Sequence, residues 1–157
     1  MNHQLKIEVV PLAEVVRAGI VADADPHRPV VLIVDDEEIV ADTRAAIFDS
    51  WGYATMTAYT AEAALELVEV IPPELLISDV MLTGMNGIDL AVIVQRIAPD
   101  CKILLFSGLP ANSEIIVSAR KAGHEFPLLE KPMRPAQLQI QLTEMNLMPN
   151  VRSAVAV

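Results

Sequence analysis

From Pro29 onward this chain alternates short, wholly apolar runs with longer stretches of helical spacing, and that alternation constrains its fold more than any other feature. Val30 to Val34 is a continuous β-branched and aliphatic run, which by length and composition predicts a buried strand. Glu38 to Ser50 has helical spacing through Ile39, Ala46 and Ile47 and ends near Gly52. Ala54 to Ala58 reads as a weaker strand, Thr60 as a helix cap, and Ala61 to Val70 as the helix it starts, stopped by Pro72-Pro73. Leu75 to Ser78 is again a short buried strand, Asn86-Gly87 marks a turn, and Ile88 to Ile97 is an apolar helix closed by Pro99-Asp100. Lys102 to Phe106 is a fourth strand. Asn112 or Ser113 caps a helix running to about Ala122, with Gly123 as its stop. Leu128-Leu129 makes a brief fifth strand, and Gln137 to Met148 a last helix behind Pro135. Five strands alternating with five helices predict an α/β protein: a doubly wound parallel sheet with right-handed crossovers and helices on both faces.

Composition agrees with this reading. At 157 residues the chain has room for one ordinary domain, and 53% apolar with 4% aromatic residues means an aliphatic core. The mean hydropathy of +0.42 is high. No apolar run approaches a membrane span, whereas strands buried on both faces account for the value. A net charge of −10 with scattered basic residues argues against a direct grip on nucleic acid. The single cysteine, Cys101, excludes an internal disulfide and reads as an inert core thiol. Lys6 and Glu8 interrupt the apolar stretch Met1 to Val10, which fits no secretory signal, so the expected location is cytoplasmic.

The domain is expected over residues 29–148, with an N-terminal arm at 1–28 and a tail at 149–157. Within the arm, Leu5, Ile7 and Val9 alternate like a weak strand. Leu12, Val15, Val16 and Ile20 share a helical face, and Ala22 to Arg28 reads as a linker. A dimer contact, docking on the domain and a disordered arm are all open for this segment.

Ligands of such sheets bind at the carboxyl ends of the strands, and the chemistry of this sequence lies there. The first strand ends in Asp35-Asp36, the third in Asp79, the fourth in Ser107 and the fifth in Lys131-Pro132. Three carboxylates in one pocket repel each other strongly, which a divalent cation among them relieves. Hard oxygen ligands suit Mg²⁺. A hydroxyl and an ammonium beside a metal-bound carboxylate suit phosphoryl transfer, with the carboxylate as nucleophile. Singly, each residue has a plainer reading. Asp35 and Asp36 would cap a helix, Asp79 would sit in a turn, Ser107 would cap a loop and Lys131 would be solvated. His124 is expected in solvent, and Trp51 in packing at a helix end.

Residues 30–148 resemble the receiver domain of two-component response regulators. The likeness rests on Val34-Asp35-Asp36-Glu37, on Leu76-Ile77-Ser78-Asp79-Val80-Met81-Leu82 with Gly84-Met85-Asn86-Gly87, on Phe106-Ser107-Gly108 and on Lys131-Pro132, in that order. It implies a flavodoxin-like strand order 2-1-3-4-5 and a role for each residue. Asp79 would be the phosphoacceptor. Asp36 would bind Mg²⁺ (or Mn²⁺) directly, Asp35 would lie nearby or act through water, and the Met81 carbonyl would be a further ligand. Ser107 and Lys131 would hold phosphoryl oxygens, and the Lys131-Pro132 peptide would be cis. The implied partners are a sensor histidine kinase or phosphotransfer protein as donor and an output protein that the sequence does not identify. No nucleic-acid or membrane contact is expected.

Two positions depart from the family pattern. Thr83 stands where many receivers have proline, and Leu128 replaces the aromatic ring that usually repacks on activation; Phe126, two residues earlier, could share its face if Pro127 between them allows it. The expected function is a stand-alone phosphorylation switch. Its alternatives are a phosphate sink or relay intermediate, and a vestigial receiver acting as an interaction module. A phosphohydrolase with an Asp nucleophile is disfavoured, because Met81 occupies the place of its second catalytic Asp and the chain has no room for a cap.

Overall fold

A computed structural model of the chain describes residues 28–149. Five parallel strands, β1 (Val30–Val34), β2 (Ala54–Ala58), β3 (Leu75–Asp79), β4 (Lys102–Ser107) and β5 (Leu128–Glu130), lie in the order β2-β1-β3-β4-β5. Between and after them run α1 (Glu38–Ser50), α2 (Ala61–Val70), α3 (Gly87–Ile97), α4 (Glu114–Lys121) and α5 (Pro135–Glu144).

Side chains of a strand alternate between its faces, and both faces of this sheet are buried. Leu32, Val34, Leu76, Ile103 and Leu105 join Ala64, Val68, Leu90, Ala91 and Val94 of α2 and α3, and Ile115 and Ala119 of α4 pack against the same cluster. Val31, Ile33, Leu75, Ile77, Leu104 and Phe106 point the other way, to Ala41, Ala45 and Phe48 of α1 and Leu138 and Leu142 of α5. The high mean hydropathy is therefore the signature of a two-sided core. Among the described residues no helix is long and apolar enough to cross a membrane. Thr60 caps α2 as expected, its hydroxyl accepting the Ala63 N–H at 3.1 Å.

Several local expectations are corrected. β3, β4 and β5 each run one residue further, through Asp79, Ser107 and Glu130, because the pairs Asp79↔Phe106 and Ser107↔Glu130 continue the ladder after the apolar run stops. Asn86-Gly87 is a helix start rather than a turn: Asn86 Oδ1 accepts the Asp89 N–H at 2.8 Å and Gly87 opens α3. α4 spans Glu114–Lys121 with Ser113 at its N-cap position and Ala122 at its C-cap, as expected, but the Ser113 side chain makes no cap bond. α5 begins at Pro135 and ends at Glu144, not Met148. Asn146 takes the left-handed conformation (φ 58°) and the Leu147 N–H returns to the Leu142 carbonyl, which turns Leu147 into the core.

The span of α1 agrees with the sequence but its inner face does not. Ile39 and Ala46 are exposed, and Ala41, Arg44, Ala45 and Phe48 are buried. Arg28 is not a free linker residue, since its guanidinium donates to the Gly52 and Tyr53 carbonyls at 2.9 and 2.6 Å. His124 is half-buried, its ring parallel to that of Phe126 with centroids 6.4 Å apart. Trp51 packs on Phe48, as expected at a helix end. The strand, helix and remaining linker expected within residues 1–27, and the tail beyond 149, lie outside the described residues.

Cys101 is buried, and burial pushes its thiol up to about 12. The thiolate is the reactive form, so native protein at pH 8 is expected to react with a disulfide reagent at least about a hundredfold more slowly than the denatured chain. Comparable rates before and after denaturation would show that the site opens freely.

Candidate functional site

β1 and β3 are neighbours, but the chain leaves β1 toward β2 on the other side, so the strand order reverses between them. Register then dictates what meets at that gap. Val34 pairs with Ser78, which brings Asp35 and Asp79 alongside each other one step further on. Asp79 pairs with Phe106, so Ser107 follows just beyond. Ser107 pairs with Glu130, and the Lys131 N–H bonds the Ser107 carbonyl at 2.9 Å, which places Lys131 last in the row. Carboxylate oxygens of Asp35, Asp36 and Asp79 all lie within 4.8 Å of one another. The expected convergence of strand ends is found, and the Lys131-Pro132 peptide is cis.

Asp79 is 5% exposed. Its Oδ2 accepts from Lys131 Nζ at 2.8 Å, and its Oδ1 is buried with no hydrogen-bond partner among the described residues. Asp35 is more enclosed, at 1%. Its Oδ1 accepts the Glu37 N–H and its Oδ2 accepts from Arg44 Nη1, both at 2.9 Å. Burial pushes the Asp35 carboxyl above its ordinary range and the Asp79 charge adds to this, while the Glu37 N–H and the Arg44 guanidinium oppose it. Asp36 reaches into solvent, where Thr83 Oγ1 donates to its Oδ2 at 2.8 Å. The Ser107 hydroxyl is turned to its own loop, accepting the Leu109 N–H at 3.0 Å. Met81, two residues past Asp79, has an exposed side chain. Phe126 and Leu128 are half-buried against the same core cluster.

A buried carboxylate oxygen that accepts no hydrogen bond is costly unless further charge or a donor meets it, and Arg44 Nη1 comes no nearer to Asp79 Oδ1 than 3.6 Å. Asp79 Oδ1, with Asp35 and Asp36 within reach, offers the hard oxygen set that a small divalent cation takes. The donor set thus fits Mg²⁺ or Mn²⁺.

Two residues of this site were not singled out from the sequence. Arg44 is one of them, and its signal was readable: Ala41, Arg44, Ala45 and Phe48 fall at i, i+3, i+4 and i+7, a face that includes the only charge among otherwise apolar positions. Thr83 is the other: in the sequence it is only a departure from the family pattern, and in the structure its hydroxyl ties the β3–α3 loop to Asp36.

Carboxylates, a hydroxyl and a lysine gathered at the switch point of a five-stranded 2-1-3-4-5 sheet define a receiver-type signalling domain. The response regulator receiver domain model matches residues 31–143, and the chain belongs to that family. It is 34% identical over 112 residues to the nitrogen assimilation regulatory protein NtrX of Azorhizobium caulinodans, an alignment covering 70% of this chain and 24% of that protein. It is 25% identical over 114 residues to the DNA-binding response regulator MtrA of Mycolicibacterium smegmatis, covering 73% and 49%. The chain therefore spans half or less of the length of these relatives. Among solved structures, a CheY-like receiver domain protein of Methanospirillum hungatei superposes with a TM-score of 0.68 at 27% identity, over 75% of this chain and 93% of that one. NtrX of Brucella abortus superposes with a TM-score of 0.64 at 30% identity, over 76% and 27%. Receiver domains are phosphorylatable signalling switches that bind Mg²⁺ at an acidic pocket and interact with histidine kinases or phosphotransfer proteins.

Proposed function

We propose that residues 29–148 form a cytoplasmic switch in which Asp79 accepts a phosphoryl group from a phosphohistidine on a sensor kinase or phosphotransfer protein. The observation that carries this reading is the Asp79 carboxylate itself: buried, held by Lys131 through one oxygen and, among the described residues, without a hydrogen bond at the other. A carboxylate oxygen of Asp79 attacks phosphorus, the P–N bond of the donor breaks, and the imidazole leaves with the bonding pair. Lys131 stabilises charge on the oxygens of the moving group, and the Ser107 hydroxyl, released from Leu109, donates to another. Asp36, Asp79 and the Met81 carbonyl would hold Mg²⁺, with Asp35 behind them. The ion supplies charge neutralisation for the transfer.

The new group adds charge and acceptor oxygens. As Ser107 turns toward it, the loop from Gly108 follows, and Phe126 and Leu128 repack in place of a single swinging ring. An output protein that prefers the altered surface then shifts the population.

The test is intact mass after incubation with Mg²⁺ and a small acyl-phosphate donor. Wild type is expected to gain one phosphoryl group and Asp79→Asn none. A gain of equal size in Asp79→Asn would move the acceptor elsewhere. No gain in folded wild type, with either the small donor or a phosphorylated histidine protein, would leave a pocket that no longer takes phosphate.

A further inference from the structure

Arg44 stands out because a buried guanidinium is costly unless paired and hydrogen-bonded. It is 6% exposed, and it is the one charged residue on the inner face of α1. Its Nη1 lies 2.9 Å from Asp35 Oδ2 and 3.6 Å from Asp79 Oδ1, the oxygen that has no hydrogen-bond partner. Its guanidinium carbon sits 4.6 Å from the centre of the Phe106 ring, a stacking contact that a planar, delocalised cation makes well. A fixed positive charge therefore reaches both enclosed carboxylates of the pocket, while Lys131 takes the other oxygen of Asp79.

We infer that Arg44 is a positioning residue and built-in counter-charge of the phosphoryl site, and that it sets how strongly the site depends on its divalent cation. This rests on the reading of the pocket as an Mg²⁺-assisted phosphoryl acceptor. Among the described residues three carboxylates stand against two cations, Arg44 and Lys131, so they leave the pocket one net negative charge before any ion enters. Without Arg44 it would carry two. An ion held by Asp36 and Asp79, with Asp35 behind them, meets the field of Arg44 at close range, which weakens its binding. The same field lets the two carboxylates stay close together when no ion is bound.

Phosphorylation replaces the single charge of Asp79 by about two on the acyl phosphate. With Arg44, Lys131 and one divalent ion the pocket is then close to neutral, so Arg44 suits the phosphorylated state better than the resting one.

The experiment compares wild type, Arg44→Met and Arg44→Lys by calorimetric titration with Mg²⁺ and by thermal unfolding with and without Mg²⁺. Arg44→Met keeps the length and apolar stem of the side chain and removes its charge. It is expected to bind Mg²⁺ about tenfold or more tightly than wild type, as loss of a like charge a few ångströms away requires. It is also expected to show a larger rise in Tm on adding Mg²⁺ than wild type shows. Arg44→Lys keeps a charge but cannot both stack on Phe106 and bridge two carboxylates, and falls between the two. If Arg44→Met folds only in the presence of Mg²⁺, that dependence itself supports the inference. If it does not fold at any Mg²⁺ concentration, Arg44→Gln, a neutral side chain that can still donate to Asp35, decides: tighter binding than wild type supports the inference, and equal binding overturns it. Equal Mg²⁺ affinity in wild type and folded Arg44→Met overturns the role of Arg44 alone and leaves the metal site standing. Absence of Mg²⁺ binding in every protein overturns the metal site and this inference with it.

Discussion

Replacing Lys131 by methionine is expected to slow phosphorylation of Asp79 by about two to three orders of magnitude at fixed donor and Mg²⁺, with the fold retained. The side chain is 39% exposed, and Nζ lies 2.8 Å from Asp79 Oδ2. In the resting protein that partial exposure screens the pair. Its loss leaves one oxygen of a buried carboxylate without a donor, a cost of about 1 kcal/mol after discounting for solvent. In the proposed transfer step the ammonium would meet oxygens that carry more charge than a carboxylate does, in a pocket already shielded from water on its Asp35 side. An interaction that strengthens as charge develops lowers the barrier, whereas one equally strong before and after does not. The rate of mass gain should therefore fall far more than Tm does. Uptake within threefold of wild type would remove Lys131 from the transfer step and leave it a structural partner of Asp79. Lys131→Arg should recover only part of the rate, since a planar fork on the same strand end does not place a donor where the ammonium nitrogen stood.

How much of this was legible in the chain follows from what each signal measures. Apolar runs report burial on both faces of a strand, so the strands and the two-sided core were readable from Val30–Val34, Leu75–Asp79 and Lys102–Ser107 to within a residue. The misplaced ends have one cause: at Asp79 and Ser107 the ladder continues by backbone pairing after the side chains turn polar. The site was legible because parallel strands put their carboxyl ends on one rim, so the residue after each run needed only to be named. Arg44 escaped because a charge inside a helical pattern counts as solvent-facing by default. That shifted the reading of α1 to Ile39, Ala46 and Ile47, two of which are exposed. Only the distances to Asp35 and Asp79 reveal why an arginine tolerates that position. Thr83 shows the same limit, because a departure from a family pattern says that something differs and not what the new side chain touches.

Gly84 and Gly87 make the contrast sharpest, and Gly87→Ala is expected to be the more damaging change by a wide margin. By backbone conformation alone Gly84 should matter more, since it sits at φ +85° and Gly87 opens an ordinary helix. Yet a Cβ on Gly84 meets nothing within 4 Å, so Gly84→Ala carries only the left-handed strain of about 1–2 kcal/mol. A Cβ on Gly87 would stand 1.8 Å from the Asp79 carbonyl oxygen and 2.8 Å from its carbonyl carbon. These are backbone atoms of a central strand and have no rotamer to give. The Gly87 N–H also bonds the Val80 carbonyl at 2.8 Å, which draws the first turn of α3 onto the end of β3. Relief requires α3 to lift away or β3 to bend at Asp79, the proposed phosphoryl acceptor. The expected cost is about 3 kcal/mol or more, at the upper end for overpacking, read as a lowered urea midpoint at unchanged slope. Phosphorylation of the fraction that remains folded should fall as well, because Asp79 moves relative to Lys131 and Asp36. A Gly87→Ala protein as stable as Gly84→Ala would mean that α3 does not approach β3 this closely. An alanine that lowers stability but leaves the rate of phosphoryl uptake intact would mean that the helix yields and the strand end does not.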